Sequence, residues 1–275
     1  MGEFFTGRHR GEPGLAVFLN AGDPPLPVLA DLTLMLDERG VDCLELAVPF
    51  PGSVTDGPVV RRSAERALAQ GVDLDTTLRF VAEIRPRLRR LRIALLADWS
   101  HSVKGRPLTS FLGDVAASGA DGLLVHALPP RLRADYHAAA AQAGLPVVTT
   151  CYHGVSSPAV LAEAAAHASA YLYLVASYGR SGTAPAAGYG DLARTVTRLR
   201  GLTRAPIAVG FGVRTRTDVA AIYASGADAA IVGSAGVARL EHALAAGRDA
   251  VAEFQDFIRS IQIVPDTTIG SSARD

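Results

Sequence analysis

Eight short apolar runs recur along this chain, and a stretch of helical character separates each from the next. They are LAVFLNAG (15–22), CLELAVP (43–49), RIALLAD (92–98), GLLVHAL (122–128), PVVTTCY (146–152), AYLYLVA (170–176), PIAVGFGV (206–213) and AAIVGSA (229–235). Such runs are too short for most helices and too continuously apolar for strands with one wet face, so they fit strands buried on both sides. Strict alternation with helices implies a parallel sheet. Eight units without a linker imply its closure into an α/β fold, a single (β/α)8 TIM barrel spanning residues 1–262. A doubly wound open sheet is the alternative, but it rarely reaches eight units without a domain boundary. The polar tail, residues 263–275, is expected to be frayed.

The punctuation between the runs agrees with this alternation. PVLADLTLMLDERG ends at Gly40, a helix-terminating residue. Two helical segments, PVVRRSAERALAQG and LDTTLRFVAEIRPRL, follow the second run, so an extra helix is expected there. SSPAVLAEAAAHA opens with a serine cap and Pro158 in the first turn. Thr215 and Asp218 have the spacing of a capping box.

Charge and cysteine usage exclude several function classes. Basic and acidic residues number 27 each, leaving no net charge to attract nucleic acid or an anionic membrane. Cys43 and Cys151 lie far apart within apolar runs and read as reduced core thiols. No apolar run reaches the roughly 18 residues of a membrane span. The opening MGEFFTGRHRGEPG has no apolar stretch of signal-peptide length. A cytoplasmic enzyme with a small-molecule partner is the expectation.

Two glycine motifs point to that small molecule's chemistry. Gly210, Phe211 and Gly212 end the seventh run, and Gly233 and Ser234 end the eighth. In a barrel these strand ends are where phosphate sits, because glycine lets backbone N–H groups approach the anion and a helix N-terminus adds its dipole. The plainer reading is that the glycines only permit tight turns. Glu45 is the second signal, a carboxylate in the middle of an apolar strand, where burial without a partner is costly. Alternation puts Cys43, Glu45 and Ala47 on one face, directing Glu45 into the barrel mouth, where an apolar setting raises its pKa and suits it to proton transfer. A salt bridge to a neighbouring arginine is the structural alternative. Asp56, eleven residues on, reads either as a helix N-cap or as the second member of a carboxylate pair with divided acid and base roles. Of the 27 basic residues only Lys104 is lysine, and it lies in a polar loop, so imine chemistry is disfavoured.

LELAVPFPGSVTDGPVV, with its Glu-to-Asp interval, resembles the signature of the tryptophan synthase α subunit family. FLNAGDP (18–24), YLYLVASYGRSG (171–182), GFGV and VGSA resemble that family's other motifs in order and spacing, and the likeness spans roughly residues 15 to 260. It implies cofactor-free and metal-free retro-aldol cleavage of indole-3-glycerol phosphate to indole and glyceraldehyde 3-phosphate. Under it, Glu45 exchanges protons at the carbon being cleaved, Asp56 holds the indole N–H, and Tyr173 is a site tyrosine. Phe18, Leu96, Leu124 and Phe211 would wall the ring, and Gly182 would join the phosphate site.

The departures from the family are equally specific. The loop after the second run reads PGSV at 51–54 instead of carrying Ser-Asp-Pro, which puts in doubt the β-subunit partner that the resemblance implies. The sixth loop carries Arg180 and Ser181, expected to close over the phosphate without a partner. The ends of strands three to five bear Asp98, Trp99, His126, Thr149, Thr150, Cys151 and His153 where the family has mainly apolar or amide residues. His126 is either a neutral histidine satisfied by a backbone carbonyl or the mark of a ring pocket changed for a substituted or different ring. Two further classes stay open: a metal- or flavin-dependent barrel enzyme, with Glu45, Asp98, His126 and His153 as the ligand set of the metal form, and a non-catalytic homologue.

Overall fold

The computed structural model describes residues 3–7, 11–177, 179, 182 and 188–263. All eight expected strands form: β1 (Gly14–Asn20), β2 (Cys43–Ala47), β3 (Arg92–Asp98), β4 (Gly122–His126), β5 (Val148–Tyr152), β6 (Tyr171–Val175), β7 (Ile207–Gly210) and β8 (Ala229–Val232). They make one parallel sheet in the order β4-β3-β2-β1-β8-β7-β6-β5. β4 and β5 then meet at a seam, joined by the bridge Leu123–Val147 and a 2.9 Å bond from the Leu123 N–H to the Pro146 carbonyl. The barrel is therefore nearly closed, and this seam is its weak side.

Among the described residues, ten α-helices surround the strands: α1 (Leu26–Glu38), α2 (Pro58–Ala69), α3 (Leu74–Ile84), α4 (Leu108–Ala117), α5 (Arg133–Gln142), α6 (Pro158–His167), α7 (Leu192–Arg200), α8 (Arg216–Ala224), α9 (Ser234–Ala245) and α10 (Ala250–Ile261). The extra helix after β2 is present as the α2–α3 pair. The local signals hold: Ser157 caps α6 ahead of Pro158, and Thr215 with Asp218 forms a complete capping box on α8. No described helix is long and apolar enough to cross a membrane.

Two apolar layers divide the core, as the period-two alternation of buried strands requires. Outward-facing Val17, Leu19, Leu44, Leu46, Leu95 and their equivalents pack under the helices. The inward set is smaller: Ala16, Cys43, Ala94, Val148, Ala208 and Ala229, closed from below by Phe4 and Phe5 against Tyr171. Those two phenylalanines come from the N-terminal segment, for which the sequence offered no structural role. Gly14 makes room for them, since a Cβ there would lie 2.8 Å from the Phe5 ring. With its floor filled, the barrel opens at the C-terminal ends of its strands.

The β1–α1 turn locks the top of β1 to two helices. Buried Asp23 takes a bidentate pair of bonds from Arg66 of α2, at 2.9 and 2.7 Å, and Arg66 also reaches Glu241 of α9. Asn20 donates to Ser63 and to the Val60 carbonyl, also on α2. The FLNAGDP motif thus fixes the helix that follows the Asp56 loop.

Candidate active site

The pocket at the strand ends collects residues from all eight strands or the loops after them, among them Phe18, Asn20, Glu45, Asp56, Leu96, Leu124, His126, Tyr173, Phe211 and Ser234. Glu45 is wholly buried at its floor. Its Oε1 accepts a 2.5 Å hydrogen bond from the Tyr171 hydroxyl, while Oε2 has no hydrogen-bond partner among the described residues. Its expected alternative partner, an arginine, is not what it meets. Burial pushes the carboxyl up to about 7, against the Tyr171 hydrogen bond, which favours the ionised form. Tyr171 itself stays protonated, because burial and the neighbouring Glu45 both raise it well above the usual phenol range. Glu45 is therefore a carboxyl that exists in both protonation states near neutral pH, with one oxygen held and the other available.

Tyr173 lies one inward layer above Tyr171, and burial, then Glu45 and Asp56, hold its hydroxyl well above the ordinary tyrosine value. Gly210 explains how so large a side chain fits. A Cβ at that position would sit 2.5 Å from the Tyr173 hydroxyl oxygen. Gly210 thus yields space to Tyr173 from the neighbouring strand, while the next two residues, Phe211 and Gly212, line the pocket.

Asp56 also reaches the pocket. The N-cap of α2 is Gly57, one residue later, so Asp56 is not the capping residue that its spacing also allowed. Its loop is held from within: the Ser53 hydroxyl accepts from the Asp56 N–H at 3.3 Å and pairs with Thr55 at 3.4 Å.

Opposite this side, Gly182, Phe211, Gly212, Gly233 and Ser234 converge. Phe211 and Gly212 both have φ of 81°, a left-handed conformation that is strained for phenylalanine. The Phe211 carbonyl is pinned by the Tyr189 hydroxyl at 3.2 Å. Gly233 is the N-cap of α9 and Ser234 its first residue, so the first-turn N–H groups, which lack intrahelical acceptors, face the pocket with the positive end of the helix dipole. A Cβ on Gly182 would touch the Ser234 hydroxyl at 3.0 Å. Backbone N–H groups and a helix N-terminus arranged in this way are the general means by which proteins hold anions. Arg180 and Ser181, expected to close over it, lie outside the described residues, as does the tail from residue 264 onward.

Phe18, Leu96 and Leu124 line the pocket with apolar surface, and His126 stands at the same rim. Its partner is not a backbone carbonyl: His126 Nδ1 lies 3.4 Å from Oδ2 of Asp98, its cross-strand neighbour. Asp98 is buried and accepts at Oδ1 from the Ser100 and His101 N–H groups and from His101 Nδ1 at 2.7 Å. Burial opposes its ionisation, but the hydrogen bonds from His101 and His126 prevail and hold it below the usual aspartate value. His101 in turn stacks on Phe50, with centroids 5.1 Å apart. The quartet of Glu45, Asp98, His126 and His153 does not converge, because His153 turns to Thr195 at 2.9 Å. Lys104, the one lysine, is exposed on its loop.

Sequence reasoning missed Tyr171, Asn20 and the Asp98–His101–Phe50 chain. The YLY alternation carried a signal for the first, since residues 171 and 173 must share a face. The others depend on contacts forty or more residues apart or across a π-helical turn, for which the sequence gives no cue.

The chain that builds this pocket has relatives among known proteins over nearly its whole length. The family model described as "Tryptophan synthase alpha chain" matches residues 4–264. The tryptophan synthase alpha chain of Gloeobacter violaceus is 34% identical over 258 residues, covering 94% of this chain and 91% of its own, and that of Acaryochloris marina is 36% identical, covering 92% and 94%. Among solved structures, tryptophan synthase subunit alpha from Legionella pneumophila superposes with a TM-score of 0.82 at 25% identity, covering 93% of each chain. The tryptophan synthase A-subunit from the hyperthermophile Pyrococcus furiosus gives 0.80 at 28% identity, covering 91% of this chain and 98% of that one. This chain belongs to the tryptophan synthase alpha chain family.

Proposed function

We propose that this protein is a carbon–carbon lyase that cleaves indole-3-glycerol phosphate, or a close analogue, to indole and glyceraldehyde 3-phosphate. The observation that carries the reading is Glu45: a fully buried carboxyl on the pocket floor, raised to about 7, with one oxygen fixed by Tyr171 and the other unpartnered among the described residues. A retro-aldol step needs a group that both gives and takes a proton at one place. Protonated Glu45 delivers its proton to the ring carbon that bears the side chain. The adjacent side-chain hydroxyl then loses its proton to the carboxylate, the carbon–carbon bond breaks, and its electron pair returns to the ring. The products are neutral indole and an aldehyde, with Glu45 restored. A pKa near the working pH keeps both of its forms populated.

The other residues divide the remaining work. Asp56 accepts from the ring N–H and stabilises the positive charge that develops when the ring carbon is protonated. Tyr173, whose hydroxyl feels both Glu45 and Asp56, completes this side of the site. Gly212, Gly233 and Ser234, with Gly182 and Phe211, hold the phosphate at the α9 N-terminus, while Phe18, Leu96 and Leu124 enclose the ring. No cofactor enters this scheme.

The β-subunit partner found across the family is not required in this reading. Ser53 orders the Asp56 loop from within, and PGSV supplies no charged interface group. Arg180 and Ser181 are assigned to closing the phosphate side, a step that excludes water and completes the site. The test is product identification: the purified chain, incubated alone with indole-3-glycerol phosphate, should release indole and glyceraldehyde 3-phosphate in equal amounts. An unchanged substrate under those conditions would overturn the reading.

A further inference from the structure

The topology puts the two ends of the pocket on opposite sides of the barrel. The anion corner lies at the ends of β7 and β8, and Asp98 and His126 end β3 and β4, four strands away in a ring of eight. A ligand whose phosphate occupies the first corner spans the mouth above Glu45 and presents its far edge to the second. If that far edge were a bare hydrocarbon ring, it would meet a buried, ionised aspartate and a histidine, where an apolar wall would suit it better.

Two independent features at that edge favour a ring that carries a polar group. The first is chemical. His126 Nδ1 lies 3.4 Å from Asp98 Oδ2, and in the tautomer whose Nδ1–H donates to that oxygen the opposite ring nitrogen, Nε2, is an acceptor. Asp98 is itself fixed by three hydrogen bonds at Oδ1, so the histidine is held in one orientation from behind. The second is space. Leu124, His126, Thr150 and Tyr152 belong both to the pocket wall and to a second groove, which continues through the β4–β5 seam between α5 and α6. Because that seam is so sparsely bridged, an atom attached to the ring edge has room to project beyond the barrel wall.

We propose that His126, positioned by Asp98, selects substrates whose indole ring bears a hydroxyl on the benzo edge, with the hydroxyl donating to His126 Nε2. The proposal rests on the lyase reading above and names the substrate class of that same site. The His126 side chain is 39% exposed in the open pocket; once a bound ring covers it, a hydrogen-bonding nitrogen left without a partner penalises the unsubstituted ring, which makes such a site discriminating.

The experiment compares kcat/KM for indole-3-glycerol phosphate and for analogues hydroxylated at each benzo carbon in turn, in the wild type and in His126→Ala and His126→Gln. At least one hydroxylated analogue should be cleaved about tenfold or more better than the parent, the scale on which a matched hydrogen bond discriminates. His126→Ala should collapse that ratio to about one, and His126→Gln, which keeps a hydrogen-bonding group, should retain part of it. Equal or poorer cleavage of every hydroxylated analogue would overturn this inference and leave the lyase reading intact. A preference that survives His126→Ala would also overturn it. Cleavage of none of the compounds by the wild type would remove both.

Discussion

Glu45→Gln separates the stability consequence of the poised carboxyl from its catalytic one. Burial moves this group from an ordinary glutamate value of 4.5 to about 7. Between those values the folded state holds a proton that the unfolded state has released, so stability must fall as pH rises through the window. The full displacement corresponds to about 3 kcal/mol, present below the unfolded value and lost once the folded carboxyl ionises. Glutamine is neutral throughout and can still accept from Tyr171. The variant therefore keeps a constant offset at low pH, set by how its amide fits beside Cys43 and Tyr171, and gains on the wild type as pH climbs. Asp42, which burial also raises, to about 6, is present in both proteins and cancels in the difference. Urea unfolding at about pH 5 and about pH 8.5, either side of the folded value, reads the effect directly. The stability difference, variant minus wild type, should shift toward the variant by about 2–3 kcal/mol between the two conditions. A difference that stays flat with pH would mean that Glu45 titrates at an ordinary value, and the reasoning from its burial would fail.

Four further outcomes follow from the site. Asp56→Asn should lower kcat by at least about 100-fold with the fold retained, since an amide cannot offset positive charge on the ring; circular dichroism and indole release check the two halves. Gly233→Asp should abolish detectable binding of glyceraldehyde 3-phosphate in calorimetry, because it sets a negative charge at the α9 N-cap. Adding a tryptophan synthase β subunit should change neither the cleavage rate nor the elution volume of this chain, whereas Arg180→Ala should slow the partner-free reaction. A stable complex with a tenfold activation, about 1.4 kcal/mol of barrier, would contradict the standalone reading.

The fold was legible because eight doubly buried strands leave an apolar signature that surface mutations cannot blur, and the strand boundaries differ from the apolar runs by at most three residues at either end. Glu45 was legible for the complementary reason that a carboxylate inside such a run demands an explanation. What escaped was whatever depends on side chains meeting across the barrel. Tyr171 holds Glu45 from 126 residues away, and Phe4 and Phe5 plug the floor from a segment that lies before the first apolar run. Gly210 shows the same limit: that its missing Cβ makes room for Tyr173 could not be read from its motif. His126 was recognised as anomalous without its partner, because the cross-strand register that sets it beside Asp98 becomes visible only once β3 and β4 are paired.

Proton exchange by Glu45, within a pocket that works alone, underlies every step assigned to this site. The most direct measurement is the rate of indole release from indole-3-glycerol phosphate by the purified wild type and by Glu45→Gln, without a β subunit and with folding of both verified. The wild type should turn over steadily, and the variant should be slower by about 10²–10⁴-fold, the usual contribution of a general acid–base. A folded variant that cleaves at the wild-type rate would contradict it.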